Sequence, residues 1–187
     1  PRGLNDKTSL DKGGLSHLIL LAENREGYVN LCKLCTIAQL EGFYYKPRID
    51  WDLLSQHSEG LIATSTCIRG QVPAMILKGD EEGALKRMAE YAALFGKGNY
   101  YVELQDHGLE NQRKVNRVLI EMARKLDLPL VATNDVHYIH QADSEAHEVL
   151  LCMQTQTTMD DPNRLKYGSD QFYMKSGSEM AKLFAEH

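Results

Sequence analysis

Side chains of the types that bind metal ions follow three of the apolar segments that predict β-strands. They are Cys67 after residues 60–66, Asp106 and His107 after residues 100–104, and Asp135 and His137 after residues 129–133. In α/β proteins, ligands bind at the carboxyl ends of the strands, so we expect a site at these positions. Cysteine, histidine and aspartate are the residue types that hold zinc and similar divalent ions.

The Asp135-Val136-His137 segment carries the sharpest metal-ligand spacing in the chain. On an extended backbone, residues two apart point to the same side, so a carboxylate oxygen and an imidazole nitrogen can face one ion. Zn²⁺ and Mn²⁺ accept this mixture of ligands. The alternative is that Asp135 caps a turn and that His137 is an ordinary surface residue.

For the other candidate metal ligands, a purely structural role is the stronger alternative. Cys67 follows a Thr-Ser-Thr segment, and the commonest fate of a free cysteine is to be a small buried hydrophobic residue. His107 fits a loop that Gly108 turns. His17 opens the apolar run at 17–22, which predicts a buried strand. On such a strand, a hydrogen-bonded core histidine is commoner than a ligand.

Cys32 and Cys35 form a Cys-x-x-Cys pair within a predicted helix. A structural zinc site needs a second ligand pair at suitable spacing, and the sequence has none. We therefore expect both thiols to be reduced, free of metal and packed against neighbouring helices. Dinucleotide, Walker and nucleophile-elbow motifs are absent. We expect no carboxylate pair that holds two Mg²⁺ for nucleotidyl transfer.

Strands and helices alternate along the chain, and this pattern has to position the candidate residues. Strands are predicted at 17–22, 60–66, 100–104, 129–133 and 172–174, and helices after Asn24, at 80–95, at 110–125, at 144–153 and after Ser176 or Ser178. Such alternation predicts an α/β fold with a mostly parallel sheet, either open or closed into a barrel.

Composition excludes several classes of protein. The 187 residues carry 21 basic against 26 acidic side chains, a net charge of −5, which disfavours a free-standing cationic nucleic-acid binder. No apolar run is longer than the five residues at 18–22, far fewer than the ~18 residues of a membrane helix. Four cysteines without an export signal indicate a reducing cytoplasm. The missing initial Met and the helical pattern at the end suggest a piece of a longer protein.

Five strings, in the same order, resemble one known family. The chain is similar, from about His17 to its end, to the polymerase-and-histidinol-phosphatase (PHP) domain of the bacterial DNA polymerase III alpha-subunit family. The strings are Gly42-Phe-Tyr-Tyr-Lys-Pro-Arg48, Glu59-Gly-Leu-Ile-Ala63, Glu103-Leu-Gln-Asp-His-Gly108, Val131-Ala-Thr-Asn-Asp-Val-His-Tyr138 and Asp161-Pro-Asn-Arg164.

The resemblance implies an incomplete, distorted seven-stranded β/α barrel of the PHP type that lacks its first strands. Residues 1–15 would be a polar loop, 16–140 the carboxyl-terminal part of the PHP domain, and 141–187 its end and the start of the following polymerase region. The family's metal centre has nine ligands around two or three ions, Zn²⁺ or Mn²⁺. Four of these ligands match this chain: His17, Cys67, Asp135 and His137.

The same resemblance implies a function. The parent would be a cytoplasmic replicative DNA polymerase that uses Mg²⁺, primer-template DNA and deoxynucleotides and works with other replicase subunits, without contact with a membrane. Its PHP site would be a metal-dependent phosphoesterase or a 3′–5′ proofreading site, whereas this chain alone would be inactive. The alternatives are a non-catalytic scaffold that docks a separate proofreading exonuclease and a stand-alone PHP phosphoesterase. The residues that contact nucleic acid are not identifiable from the sequence.

Overall fold

The computed structural model describes residues 3–4 and 15–186 of the chain. The polar loop expected at 1–15 therefore lies largely outside the described residues. The strands are β1 (Ile19–Ala22), β2 (Leu61–Thr64), β3 (Tyr100–Leu104) and β4 (Leu130–Ala132). The α-helices are α1 (Arg25–Leu40), α2 (Trp51–Gln56), α3 (Gln71–Leu77), α4 (Glu81–Phe95), α5 (Glu110–Leu126), α6 (Ser144–Thr155) and α7 (Gly177–Leu183).

The strands form a mixed sheet in the order β1-β2-β3-β4. β2 and β3 are parallel, as expected, but β1 pairs antiparallel with β2, which corrects the prediction at this strand. Ala22 at the end of β1 lies opposite Leu61 at the start of β2. Residues 23–60 thus leave the sheet and return to the same end, as a hairpin loop would. Alternation of elements along a sequence cannot reveal such a return.

Burial differs between the central and the edge strands. Leu61, Ala63 and Val102 in β2 and β3 are completely buried. In β1, by contrast, Ile19 is 41% exposed and Leu21 is 51% exposed, so the expectation of a buried first strand is wrong. An apolar run predicts a strand but not its place in the sheet.

Local signals located the helix starts well. Asn24, Asp80 and Ser176 are N-caps, and each side chain accepts a hydrogen bond from the amide three residues further on. These bonds satisfy amides that have no partner inside the helix. Gly96 ends α4 with a φ of +82°, a conformation that glycine adopts without strain. None of the helices in the described part of the chain is both long and apolar enough to span a membrane.

Cys32 and Cys35 are free thiols, as expected, but they are exposed rather than packed. The buried stripe of α1 consists of residues three or four apart, namely Gly27, Asn30, Leu34 and Ala38. Both cysteines lie off this stripe, because 3.6 residues per turn carry positions 32 and 35 to other faces.

The chain divides into two compact units. The first comprises the described residues up to 103 together with 118–131. Its core includes β2, β3 and the helices α3 and α4. Tyr100 stacks on Tyr91 and Phe95, with ring centroids 5.7 Å and 6.5 Å away. These aromatic contacts anchor α4 to β3.

The second unit comprises residues 104–117 and the described residues from 132 onward. Helices begin at Ser144 and after Ser176, as predicted. The strand expected at 172–174 is reduced to a single bridge between Tyr138 and Tyr173. The described residues thus contain four strands, and closure of a seven-stranded barrel stays a prediction.

Candidate metal centre

The chain turns sharply after β2, where Cys67 lies. Thr66 has a φ of +59°, and its amide donates to the Thr64 hydroxyl 3.2 Å away. The turn ends at Gly70. A Cβ at this position would lie 2.4 Å from the Ser65 carbonyl oxygen, so the close approach requires glycine. A non-glycine residue with positive φ is strained and is often found at functional sites.

His17 lies against this turn. Its amide donates to the Arg69 carbonyl over 3.0 Å, and its Nδ1 lies 3.4 Å from the Cys67 sulfur. His17 is exposed and precedes β1, so the alternative of a core histidine is wrong. Cys67 is half-buried and beside an imidazole, which also differs from the small buried hydrophobic residue that spacing alone favoured.

Asp135 and His137 form a second pair of donors after β4. Their side chains approach to 3.4 Å between Asp135 Oδ1 and His137 Nε2, as their spacing predicted. The His137 amide donates to the Phe172 carbonyl over 2.8 Å, which anchors the backbone of the pair.

Aromatic rings surround His137 on several sides. The ring centroids of Tyr167, Phe172 and His147 lie 4.5, 5.4 and 5.6 Å from that of His137. Burial, followed by the nearby His137, lowers the pKa of His147 below its usual value. Sequence reasoning missed Tyr167 and His147, because their spacing to residue 137 has no regular period and only folding brings them together.

His107 lies in the loop after β3, as predicted, and its side chain belongs to the core of the second unit. It is completely buried and stacks on Phe172 with the ring centroids 4.2 Å apart. Its amide donates to Gln112 Oε1, and Gln112 Nε2 lies 2.8 Å from the ring Nδ1. Burial, followed by the Lys175 charge, lowers the pKa of His107, so the neutral ring is favoured.

Donor spacing tests whether each pair suits one metal ion. With zinc bonds of about 2.3 Å to sulfur and about 2.0–2.2 Å to nitrogen or oxygen, neighbouring ligands of a tetrahedral site lie roughly 3.3–3.6 Å apart. The Cys67–His17 and Asp135–His137 contacts, each 3.4 Å, match this spacing. Each pair can therefore provide two adjacent ligands to one ion.

Neither pair is a complete site. Within residues 3–4 and 15–186, no three His, Cys, Asp or Glu side chains gather closely enough to hold an ion. His17 and Cys67 belong to the first unit, and Asp135 and His137 belong to the second. We expect Cys67, Asp135 and His137 to converge on one cleft with His17 nearby, and this stays a prediction.

The chain matches known proteins along nearly its whole length. The PHP domain family matches residues 5–107. The DNA polymerase III subunit alpha of Treponema pallidum (strain Nichols) is 52% identical over 171 residues, which cover 91% of this chain and 15% of that protein. The protein of the same name from Thermus aquaticus is 48% identical over 174 residues, 93% of this chain and 14% of that protein.

A third relative, the DNA polymerase III subunit alpha of Deinococcus radiodurans, is 47% identical over 169 residues. This match covers 90% of the chain and 13% of that protein. The chain thus spans about 15% of the length of these relatives. The mixed α/β architecture, with its four-stranded sheet, is consistent with part of a PHP-type barrel.

Proposed function

The chain belongs to the PHP domain family, and we propose that it is a part of a replicative DNA polymerase III alpha subunit. The observation that carries this proposal is 47–52% identity to three alpha subunits over at least 90% of the chain. The parent protein would extend primer 3′ ends on template DNA in the bacterial cytoplasm. Its polymerisation carboxylates and their Mg²⁺ would lie elsewhere in the parent. The Asp50-Trp51-Asp52 pair of this chain lies at the start of α2, where the Asp50 carboxylate accepts hydrogen bonds from the Leu53 and Leu4 amides.

The PHP site of the parent would be a metal-dependent phosphoesterase or proofreading site. The spacing of the two donor pairs supports this proposal, with Cys67 and His17 as sulfur and nitrogen ligands and Asp135 and His137 as oxygen and nitrogen ligands. A bound Zn²⁺ or Mn²⁺ supplies an activated water and polarises the phosphoryl group of a phosphodiester. The protein contributes the orientation of the ligands: main-chain hydrogen bonds hold His17 to Arg69 and His137 to Phe172.

Primer assays on the full-length parent test both parts of this proposal. A primer labelled at its 3′ end is incubated with Zn²⁺ or Mn²⁺, and a second primer is incubated with Mg²⁺ and deoxynucleotides. We expect primer extension by the wild type and by the Cys67→Ser and His137→Ala variants. We expect metal-dependent release of the 3′ label by the wild type alone. A parent that extends no primer would overturn the polymerase assignment.

The alternative functions give different results in the same assays. A scaffold that docks a separate proofreading exonuclease extends primers, but its label release is at background in the wild type as well. A stand-alone phosphoesterase releases label without extending primers. The matches to alpha subunits favour the polymerase over the stand-alone enzyme, because they continue beyond residue 107, where the PHP family match ends.

A further inference from the structure

The hydroxyl of Tyr167 lies beside the ring nitrogen of His137 that faces away from Asp135. Tyr167 Oη is 3.4 Å from His137 Nδ1, whereas His137 Nε2 is 3.4 Å from Asp135 Oδ1. The imidazole thus has a phenol beside one nitrogen and a carboxylate beside the other. We propose that Tyr167 is the positioning residue that directs Nε2 of His137 to the metal ion.

The packing around Tyr167 fixes its own orientation. Its ring lies 4.9 Å from that of Phe172 and 5.2 Å from that of His147, measured between centroids. Phe172 also accepts the hydrogen bond from the His137 amide. The backbone of His137 is therefore hydrogen-bonded to Phe172, and its ring contacts the rings of Tyr167 and Phe172. These contacts restrict rotation of the imidazole.

A hydroxyl suits this position because it both donates and accepts hydrogen bonds. With the ring proton on Nε2, the nitrogen that faces Asp135, Nδ1 would accept a hydrogen bond from the Tyr167 hydroxyl. A metal-bound Nε2 carries no proton, so the ring proton is on Nδ1 and needs an acceptor. The Tyr167 oxygen provides this acceptor without movement of either ring. This inference rests on the proposed function, since it takes Nε2 of His137 as a metal ligand.

The test compares Tyr167→Phe with the matched variant Tyr173→Phe in the full-length parent protein, because this chain carries only four of the nine ligands that the resemblance implies. The first substitution removes only the hydroxyl beside His137, whereas the second removes a hydroxyl that donates to Glu179. Nitrogen-15 NMR of the histidine side chains, recorded without metal and during titration with Zn²⁺, reports the protonation of each His137 nitrogen.

Without metal, we expect Tyr167→Phe to shift the Nδ1 signal of His137, because this nitrogen loses its hydrogen-bond donor. On titration, we expect the variant to bind Zn²⁺ about tenfold more weakly at His137, at the lower end of the effect of outer-shell partners. The loss stays modest because the His137 side chain is 27% exposed and water can replace the phenol. Tyr173→Phe should match the wild type in both measurements.

Two results would overturn the inference and separate it from the proposed function. Equal zinc affinity and unchanged Nδ1 signals in wild type and Tyr167→Phe would refute the role of Tyr167 alone. A wild-type His137 whose nitrogens do not respond to Zn²⁺ would refute the metal site itself, and with it the inference.

Discussion

At the scale of single residues, the hydroxyl of Thr64 connects β2 to the buried carboxyl group of Glu103. Glu103 is 2% exposed within β3, and the Thr64 hydroxyl donates to its Oε2. Thr64→Val keeps the shape of the side chain but removes this donor and the acceptor of the Thr66 amide. Because unsatisfied buried polar groups cost about 1–3 kcal/mol, we expect a loss of this size in the free energy of unfolding, measured in urea.

Thr36→Val is the matched control for this prediction. The Thr36 hydroxyl donates to the Cys32 carbonyl on an exposed face of α1, where water can replace it. The control should change the free energy of unfolding by less than about 0.5 kcal/mol. Equal effects of the two substitutions would show that the Thr64–Glu103 contact does not stabilise the strand pair.

The neutral ring of His107 makes stability depend on pH. Burial and the Lys175 charge lower its pKa, and their effect exceeds the opposing effects of Asp135, Gln112 and Asn134. The unfolded chain, with a histidine pKa of about 6.5, therefore binds a proton at a higher pH than the native chain does. The stability that the neutral ring contributes is complete above the unfolded pKa of about 6.5. It is lost as the pH falls from there through the lower pKa of the native chain.

Urea unfolding at pH 7.5 and pH 5.5 measures this dependence. We expect the wild type to be less stable at pH 5.5 and the difference between the two pH values to be smaller in His107→Gln. His147, whose pKa is also lowered, supplies part of the remaining dependence. An identical pH dependence in wild type and variant would contradict the assignment of His107 as a buried neutral ring.

At the scale of elements, contact between α1 and the start of β2 depends on two glycines. A Cβ at Gly27 would lie 1.7 Å from the carbonyl oxygen of Gly60, which is a backbone atom. Gly27→Ala therefore forces α1 away from the sheet. We expect a cost of about 3 kcal/mol or more in the free energy of unfolding, at the upper end of overpacking effects.

Gly177→Ala is the control for this effect. Gly177 is the first residue of α7, and a Cβ at this position would have no atom within 4 Å. Alanine is the better helix former, so this variant should be as stable as the wild type or slightly more stable. A loss in Gly27→Ala no larger than in Gly177→Ala would refute the close approach of α1 and β2.

Elements with local signals were predictable from the sequence. Asp80 and Gly96 mark both ends of α4 by a cap and a positive φ, which depend only on nearby residues. α3 was missed, because its N-cap Gly70 offers no side chain and Pro73 lies within its first turn. The direction and exposure of β1 depend on its pairing with β2 and not on its own residues.

In the candidate site, too, the contacts between nearby residues were predictable from their spacing in the sequence and those between distant residues were not. The contact between Asp135 and His137 follows from a spacing of two on extended chain. The contact of His17 with Cys67, fifty residues apart, was expected from the resemblance and not from spacing. Tyr167 and His147 reach His137 through packing across thirty and ten residues, for which a single sequence carries no periodic signal.

At the scale of the whole molecule, we expect the isolated chain neither to extend primers nor to hydrolyse phosphodiesters. It carries four of the nine ligands that the resemblance implies, and Asp50 of its Asp50-Trp51-Asp52 pair is engaged as the N-cap of α2. Loss of outer-shell partners alone weakens metal affinity or activity about 10–100-fold, and loss of direct ligands should cost more. Metal-dependent release of a 3′ label by the purified chain, abolished by His137→Ala, would contradict this expectation.

The central claim is that Cys67 and His137 bind metal in the parent protein, and zinc-edge X-ray absorption of the zinc-loaded full-length parent tests it most directly. We predict a sulfur neighbour at about 2.3 Å and nitrogen or oxygen neighbours at about 2.0–2.2 Å. Cys67→Ser should remove the sulfur neighbour, and His137→Ala should reduce the nitrogen contribution. A wild-type spectrum without sulfur, or one that neither substitution changes, would contradict the claim.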